Sequence, residues 1–143
     1  MTKINALNIS ASALSANKMK LDIISQNIAN AETIRTETNE PYKRKIATVG
    51  PDDSFINYLD TEKMKLDLKG VKISSVNEDE SPFKLVYDPD NPYANEEGYI
   101  LKSNVDITEE MLDLLSISRA YEANMTVFNS TKDMLVKTLK IAD

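Results

Sequence analysis

The sequence predicts a mainly α-helical fold with a small β part. Two long helices at the chain ends pair as a heptad coiled coil, and a small β-rich region lies between them. Residues 106–141 contain no Gly or Pro, and their apolar residues recur with a heptad spacing. Residues 3–30 carry the same repeat. The intervening segment contains short runs in which apolar and polar residues alternate, as in half-buried strands.

The N-terminal segment, residues 1–31, is predicted to form the first helix. Residues 4–17 contain no charged side chain, although a solvated surface helix would place charges on its outer face. This segment is therefore expected to be surrounded by other elements. The helix is expected to end at Asn30, because Asn tolerates the left-handed conformation. Its predicted seam contains Ile4, Leu7, Leu14, Leu21 and Ile28.

The middle segment, residues 32–105, is predicted to be a loop followed by a small β region. Residues 32–41 are polar and lack an apolar period, which indicates a loop. A turn is predicted at residues 50–53, and residues 54–63 fit either a short helix or a loop. Lys69 and Gly70 fit either a bulge or a turn. Strands are predicted at residues 42–49, 64–68, 71–76, 83–87 and 99–102.

The C-terminal segment, residues 106–143, is predicted to form the second helix and to pack against residues 1–31 as one helical domain. Asp106 is the expected N-cap, with Glu109 in the capping-box position. The predicted pairing is antiparallel, at a crossing angle of about 20°. The residues predicted for its seam are Leu114, Tyr121, Met125, Phe128, Leu135 and Leu139.

A second stripe without charged residues runs roughly 110° around the same helix, at ~3.6 residues per turn. Two interpretations fit it: a face that contacts a neighbouring subunit, or a wide core-facing stripe of an ordinary helical bundle. The residues predicted for this second face are Ile117, Ala120, Asn124, Val127, Met134 and Ile141.

Composition excludes several classes of function. The chain has 143 residues, which is enough for one domain, and its net charge of −6 argues against nucleic acid and anionic membranes as partners. It contains no His and no Cys, which excludes the usual zinc sites and imidazole-activated nucleophiles. We found no run of about 18 apolar residues and no secretory signal pattern, so we expect no membrane insertion and no cleaved signal.

Two weak motifs suggest chemistry, but neither is complete. Ser15–Lys18 and Ser81–Lys84 match the S-x-x-K pattern of acyl-transfer enzymes, without the SDN or KTG partner motif. Residues 88–97 are acidic but lack the glycine that a calcium loop requires at its sixth position. A helical segment and a polar turn are the simpler interpretations. We expect no cofactor, no metal and no small-molecule substrate.

Several short motifs together resemble a known protein family. Asn27, Ala29, Asn30 and Thr33 form an N-x-A-N-x-x-T pattern after the first helix. This pattern is similar to the signature of flagellar rod, hook and hook-associated proteins. The proximal rod proteins are matched especially well, over the whole chain. The other matching segments are residues 41–45, 81–89, 97–99 and 118–124, which include Pro41, Tyr42, Arg119, Tyr121 and Asn124.

The resemblance implies a structural subunit of the bacterial flagellar basal body that transmits torque and has no enzyme activity. It implies polymerisation with like subunits and other rod proteins, with the export gate or MS-ring adaptor at the rod base as a further partner. It also implies a location in the periplasm or cell-wall zone and export through the flagellar type III apparatus. A glycine-bearing turn is expected where this chain has residues 32–41. The alternative is a coiled-coil adaptor or a secretion-chaperone-like binding module.

Overall fold

The chain begins and ends with a long helix, and four short strands lie between the two helices in the sequence. The computed structural model describes residues 2–51 and 70–142, with side chains described for residues 6–51 and 70–140. The predicted terminal helices with small antiparallel sheets between them are confirmed, whereas the predictions for residues 54–63 and 64–68 lie outside the described residues. The elements are α1 (Thr2–Asn30), β1 (Lys45–Pro51), β2 (Val71–Glu78), β3 (Lys84–Tyr87), β4 (Tyr99–Lys102) and α2 (Ile107–Ala142).

The two helices pack against each other as an antiparallel hairpin. Asn27 near the end of α1 contacts Glu110 near the start of α2, with 3.0 Å between Nδ2 and Oε2. Helix α1 begins 25 residues before Asn27. The same number of residues after Glu110 leads to Leu135 of α2. The last seven residues of α2, 136–142, therefore extend past the start of α1. At ~1.5 Å per residue this overhang is about 10 Å long.

Strands β1 and β2 form an antiparallel hairpin that packs against α1. The Val71 N–H donates to the Ser12 Oγ of α1 at 3.1 Å. Thr48 pairs with Ser75, but Val49 pairs with Ile73, so Ser74 is the extra residue of a bulge.

The predicted turn at residues 50–53 is wrong for its first two residues. Gly50 and Pro51 continue β1, and Pro51 pairs with Val71. A proline is compatible with this position because it is the last residue of its strand, where the missing N–H interrupts no central ladder. The predicted turn chemistry was overridden by pairing with a distant strand.

Strands β3 and β4 form a second antiparallel hairpin, in which Leu85 pairs with Leu101 and Tyr87 with Tyr99. One face is anchored by Ile100, which is only 2% exposed. Gly98, immediately before β4, has a φ of +82°, and a Cβ there would lie 2.9 Å from the Tyr87 ring. The tight entry into β4 therefore requires a glycine.

Helix α1 ends at Asn30 as predicted, but not through a left-handed residue. The Asn30 amide donates to the Gln26 carbonyl at 2.8 Å, and its own carbonyl accepts the Thr33 N–H at 3.0 Å. The described non-glycine residue with positive φ is Asn39, at +64°. Asn39 lies in the loop where a glycine-bearing turn was expected, and asparagine is the residue type that replaces glycine there at least cost.

Candidate functional site: the helix junction and the exposed faces of α2

The end of α1 is fixed by one buried amide. Asn27 is 1% exposed, and its side chain makes four hydrogen bonds. Its Oδ1 accepts the Tyr42 hydroxyl and the Lys45 N–H, each at 2.9 Å. Its Nδ2 donates to the Lys45 carbonyl at 2.9 Å and to Glu110 Oε2 at 3.0 Å. An amide can donate twice and accept twice, so this side chain is saturated.

A buried ion pair continues this network. Glu110 is 1% exposed, and its Oε1 accepts a hydrogen bond from Arg44 Nε at 2.6 Å. Arg44 also faces two further carboxylates, with 3.6 Å from Nη1 to Asp79 Oδ2 and 3.8 Å from Nη2 to Asp113 Oδ2. We call the set formed by Asn27, Tyr42, Arg44, Lys45 and Glu110 the junction cluster.

The protonation of the junction cluster follows from its neighbours. Burial alone would lower the pKa of Arg44, but the hydrogen bond and charge of Glu110 outweigh it. The charges of Asp79 and Asp113 act in the same direction, so the pKa of Arg44 lies above its ordinary value. Burial first, and the charge of Glu110 second, raise the pKa of the Tyr42 phenol. The guanidinium therefore stays charged and the phenol keeps its proton for Asn27.

The junction cluster is also tied to the segment before α2. The Arg44 N–H donates to Asn104 Oδ1 at 2.8 Å, and the Asp79 N–H donates to the Arg44 carbonyl at 2.8 Å. Asp106 caps α2 as predicted, because its Oδ1 accepts the N–H groups of Thr108 at 2.9 Å and Glu109 at 3.3 Å. The end of α1, the start of β1 and the start of α2 therefore meet at one place.

The motif residues have different positions in this arrangement. Asn27 is the central residue of the junction cluster, and Thr33 Oγ1 donates to Asn30 Oδ1 at 3.3 Å. Pro41 is buried, whereas Ala29 and Arg119 are exposed. Tyr42 belongs to the junction cluster, and the structure places Tyr121 and Asn124 at half-buried positions on α2.

The residues predicted for the helix-pairing seam are mostly half-buried in the described part of the chain. Leu139 differs, at 68% exposed, because it lies in the overhang of α2 beyond α1. The side chain of Ile4 lies outside the described residues. The coiled-coil pairing itself stays a prediction. The half-buried members are Leu7, Leu14, Leu21, Ile28, Leu114, Tyr121, Met125, Phe128 and Leu135.

Apart from Asn27, the most buried side chains of α1 also lie outside the predicted seam. Ser10, Ala16, Ile23 and Ile24 are 5–7% exposed. They are more buried than the seam because α1 packs against α2 and also against β1 and β2. The expectation that the uncharged residues 4–17 are surrounded is not met within one chain, because Ala6, Asn8, Ala11 and Ser15 are exposed.

The second face is divided between buried and exposed positions. Ile117 and Asn124 are half-buried, whereas Ala120 is exposed. Val127 is 51% and Met134 is 54% exposed. The side chain of Ile141 is outside the described residues. Two large apolar side chains seven residues apart therefore form an exposed row along one flank of α2.

Sequence reasoning missed two residues that carry the junction. Neither Glu110 nor Arg44 is among the residues that the sequence singles out. A signal for Glu110 did exist, because it lies four residues before Leu114 and so on the same side of the helix. A charged residue in line with a seam needs a charged or polar partner.

Two negative findings apply to the described ranges. Within residues 2–51 and 70–142, no three acidic, His or Cys side chains are grouped so that they could hold a metal ion. Neither helix in those ranges is long and apolar enough to cross a membrane.

Two family models match the chain at its two ends. The model described as "Flagella basal body rod protein" matches residues 7–35, which cover most of α1 and the loop after it. The model described as "Flagellar basal body rod FlgEFG protein C-terminal" matches residues 96–141, from β4 to the end of α2. The matched segments meet at the junction cluster, because one contains Asn27 and the other Glu110.

Curated relatives match over the full length. The flagellar basal-body rod protein FlgC of Bacillus subtilis (strain 168) is 45% identical, covering 99% of this chain and 99% of its own length. FlgC of Buchnera aphidicola subsp. Schizaphis graminum is 40% identical, covering 100% of both chains. FlgC of Salmonella typhimurium (strain LT2) is 36% identical over 99% of this chain and 98% of its own.

Proposed function

The chain belongs to the FlgC family of flagellar basal-body rod proteins, and we propose that it is a rod subunit that polymerises through its terminal helices and transmits torque. The observation that carries this proposal is the match of 45% identity over 99% of both chains. A structural subunit of the basal-body rod assembles with other rod components. Its activity is mechanical, so it needs contact surfaces rather than a catalytic pocket.

The proposed subunit consists of a helical domain and a β region beside it. Residues 1–31 and 106–143 form one helical domain, paired as a coiled coil, and residues 32–105 form the loop and β region beside it. The junction cluster supports a hairpin of defined geometry, because its directional hydrogen bonds are satisfied in one arrangement. A subunit that transmits torque needs such fixed geometry at each contact.

The second face supports the polymerisation proposal. Val127 and Met134 are more than half exposed in the isolated chain. Exposed apolar side chains that form a row, rather than standing singly, mark surfaces that bind other proteins. We propose that this flank of α2 contacts a neighbouring rod subunit, either a like subunit or another rod protein.

The remaining features of the proposal come from the family. The subunit is located in the rod of the basal body, in the periplasm or cell-wall zone. It is exported by the flagellar type III apparatus. The subunits at the rod base contact the export gate or the MS-ring adaptor. The chain has no enzyme activity, and its partners include no nucleic acid.

Val127→Asp tests the polymerisation surface. Because Val127 is 51% exposed, the substitution should change the free energy of unfolding by less than ~1 kcal/mol. In the rod the same aspartate is buried at each subunit contact, with a desolvation penalty of several kcal/mol. We expect a folded, exported chain that is absent from isolated basal bodies and cells that do not swim.

Asn129→Asp is the matched control, because Asn129 is exposed on α2 and, two residues from Val127, lies on a different side of the helix. Normal incorporation of this variant, measured by immunoblotting of basal bodies, is expected. Incorporation of Val127→Asp at the wild-type level would show that this flank of α2 does not contact a neighbour.

A further inference from the structure

The overhang of α2 carries apolar side chains that α1 cannot cover. Val136 is 43% and Leu139 is 68% exposed, and residues three apart on a helix lie on the same side. Lys137 and Lys140 are exposed beside them. Neither lysine forms an ion pair within the described part of the chain. We call residues 136–140 the tip.

An open apolar groove lies at the opposite end of the hairpin. Its volume is about 310 Å³, and it lies between the loop after α1 and the β3–β4 hairpin. Leu85 is 61%, Tyr93 is 53% and Leu101 is 46% exposed, so apolar surface of the groove faces solvent. Exposed apolar grooves of this kind are typical of protein-binding sites. The apolar lining consists of Ile34, Pro41, Leu85, Tyr93, Tyr99 and Leu101.

The segments that form the groove are acidic. Residues 88–97 contain four carboxylates and no Lys or Arg, and residues 32–40 contain three carboxylates and one Arg. Glu32 and Glu40 are paired with lysines of the same molecule. The remaining carboxylates have no ion pair among the residues that the structure describes, and they are all exposed except Asp88. They are Glu37, Asp88, Asp90, Glu96 and Glu97.

The tip carries two lysines, and the segments that form the groove carry more carboxylates than cations, although Arg35 is itself part of the lining. The tip and the groove cannot meet within one molecule. Glu110, at the groove end of α2, and Leu139 are 29 residues apart on one continuous helix. At ~1.5 Å per residue the separation is about 44 Å. The tip can therefore reach only a groove that belongs to another molecule.

We propose that the groove binds the tip of a second copy of this chain. The contact is a helix end in an apolar groove, with Val136 and Leu139 as anchors. The tip lysines lie near the carboxylates of residues 32–40 and 88–97, which we call the acidic rim. The proposal rests on the proposed function as a rod subunit and names one of its contacts. Contacts between different ends of like subunits build open helical assemblies when the rotation between neighbours does not close into a ring.

Engineered cysteines test this contact directly, because the chain contains no Cys. Two differently tagged full-length copies are produced in cells that lack the native protein, one with Leu139→Cys and the other with Leu101→Cys. After oxidation, isolated basal bodies should contain a disulfide-linked product that carries both tags. Its mass should be the sum of the two tagged chains, each of 16.0 kDa plus its tag.

Ile46→Cys provides the matched control for the groove position. Ile46 is 41% exposed, close to the 46% of Leu101, but it lies on β1 outside the groove. Its combination with Leu139→Cys should give several-fold less linked product. Leu85→Cys is a second groove position, which keeps the test decisive if Leu101→Cys fails to fold.

Charge reversal at the tip tests the role of the acidic rim. Lys137→Glu together with Lys140→Glu, added to the Leu139→Cys chain, should lower the yield of linked product. Two exposed ion pairs predict a decrease of about two- to thirty-fold. An unchanged yield would overturn the assignment of the rim as the partner of these lysines.

The outcomes separate this inference from the proposed function. Both tagged chains in basal bodies, with no more product from either groove cysteine than from Ile46→Cys, would overturn the tip contact and leave the rod subunit intact. Absence of the tagged chain without cysteines from basal bodies that otherwise assemble would overturn the proposed function itself.

Discussion

In the first turn of α2 a carboxylate is buried, whereas in its last turns a leucine is exposed. Glu110 is 1% and Leu139 is 68% exposed. This distribution reverses the usual preference of the two residue types. The difference shows that the two ends of one helix serve different purposes. The junction end is completed inside the chain, and the other end presents apolar surface to solvent that the other described elements leave uncovered.

The physical reason lies in the direction of the interactions. The hydrogen bonds of the junction cluster have defined partners and angles, so they fix how α1, β1 and α2 meet. Apolar contacts are not directional, and exposed ones become favourable only when water is removed from both surfaces. A subunit that must hold its shape and then bind neighbours benefits from this separation.

Asn27→Ala should have the largest effect at the junction end. The substitution removes four hydrogen bonds and leaves groups of Tyr42, Lys45 and Glu110 without their partner. Because Tyr42 and Lys45 are only half-buried, each of the four groups should cost about 1 kcal/mol, so the free energy of unfolding should fall by roughly 4 kcal/mol. Urea denaturation followed by circular dichroism measures this change.

Gln26→Ala is the adjacent control, because Gln26 is exposed and its carbonyl remains available to Asn30. It should change the free energy of unfolding by less than ~0.5 kcal/mol. A similar small effect for Asn27→Ala would show that the junction cluster does not hold the helices together.

Glu110→Gln should have the second-largest effect. It removes a buried negative charge opposite Arg44, but Arg44 keeps Asp79 and Asp113 as neighbours and its side chain is 23% exposed. Because these partners and the solvent compensate in part, we expect a loss of about 2 kcal/mol rather than the ~3–5 kcal/mol of a fully buried pair. Glu109→Gln, one residue away and exposed, should cost much less in the same denaturation assay.

Lowering the pH should reduce the free energy of unfolding by less than either of these substitutions does. The side-chain hydrogen bond from Ser81, its backbone N–H and the charge of Arg44 lower the pKa of Asp79 below 3.8. The N–H groups of Glu109 and Thr108 likewise lower the pKa of Asp106. The unfolded chain therefore binds more protons, and this stabilisation is lost as the pH falls from about the unfolded pKa through the folded one.

Ser81→Ala tests the acid effect, because it removes the largest cause of the low pKa of Asp79. The urea midpoint of this variant should fall less between about pH 5 and about pH 3 than that of the wild type. Ser130→Ala, at an exposed position of α2, should leave the pH dependence unchanged. An equal pH dependence in all three chains would exclude Asp79 as a source.

The sequence predicted those parts of the fold that depend on local signals. The end of α1 at Asn30 and the cap of α2 at Asp106 depend on residues within four positions, and both were correct. The extension of β1 through Pro51 was not predicted. It depends on pairing with Val71, which is 20 residues away, and the local sequence around Pro51 predicts a turn.

The candidate site was predictable in part for the same reason. Asn27 was identified through its motif, but its role was not, because its partner Glu110 lies 83 residues away. The pairing of Arg44 with Glu110 spans 66 residues, and a basic run alone does not identify its partner. The exposed row of Val127 and Met134 was predicted as a stripe, whereas its exposure depends on how α2 is rotated against α1.

The saturated amide of Asn27 also determines when the chain can finish folding. Its partners lie 15, 18 and 83 residues further along the chain, so α1 is synthesised well before its last turn can be satisfied. At about 5–20 residues per second, Glu110 is added roughly 4–17 s after Asn27. Throughout that interval α1 lacks its partner helix α2, and a lone helix is only marginally stable in water. Closing the junction is therefore a late and non-local step, and the two helices gain their stability together.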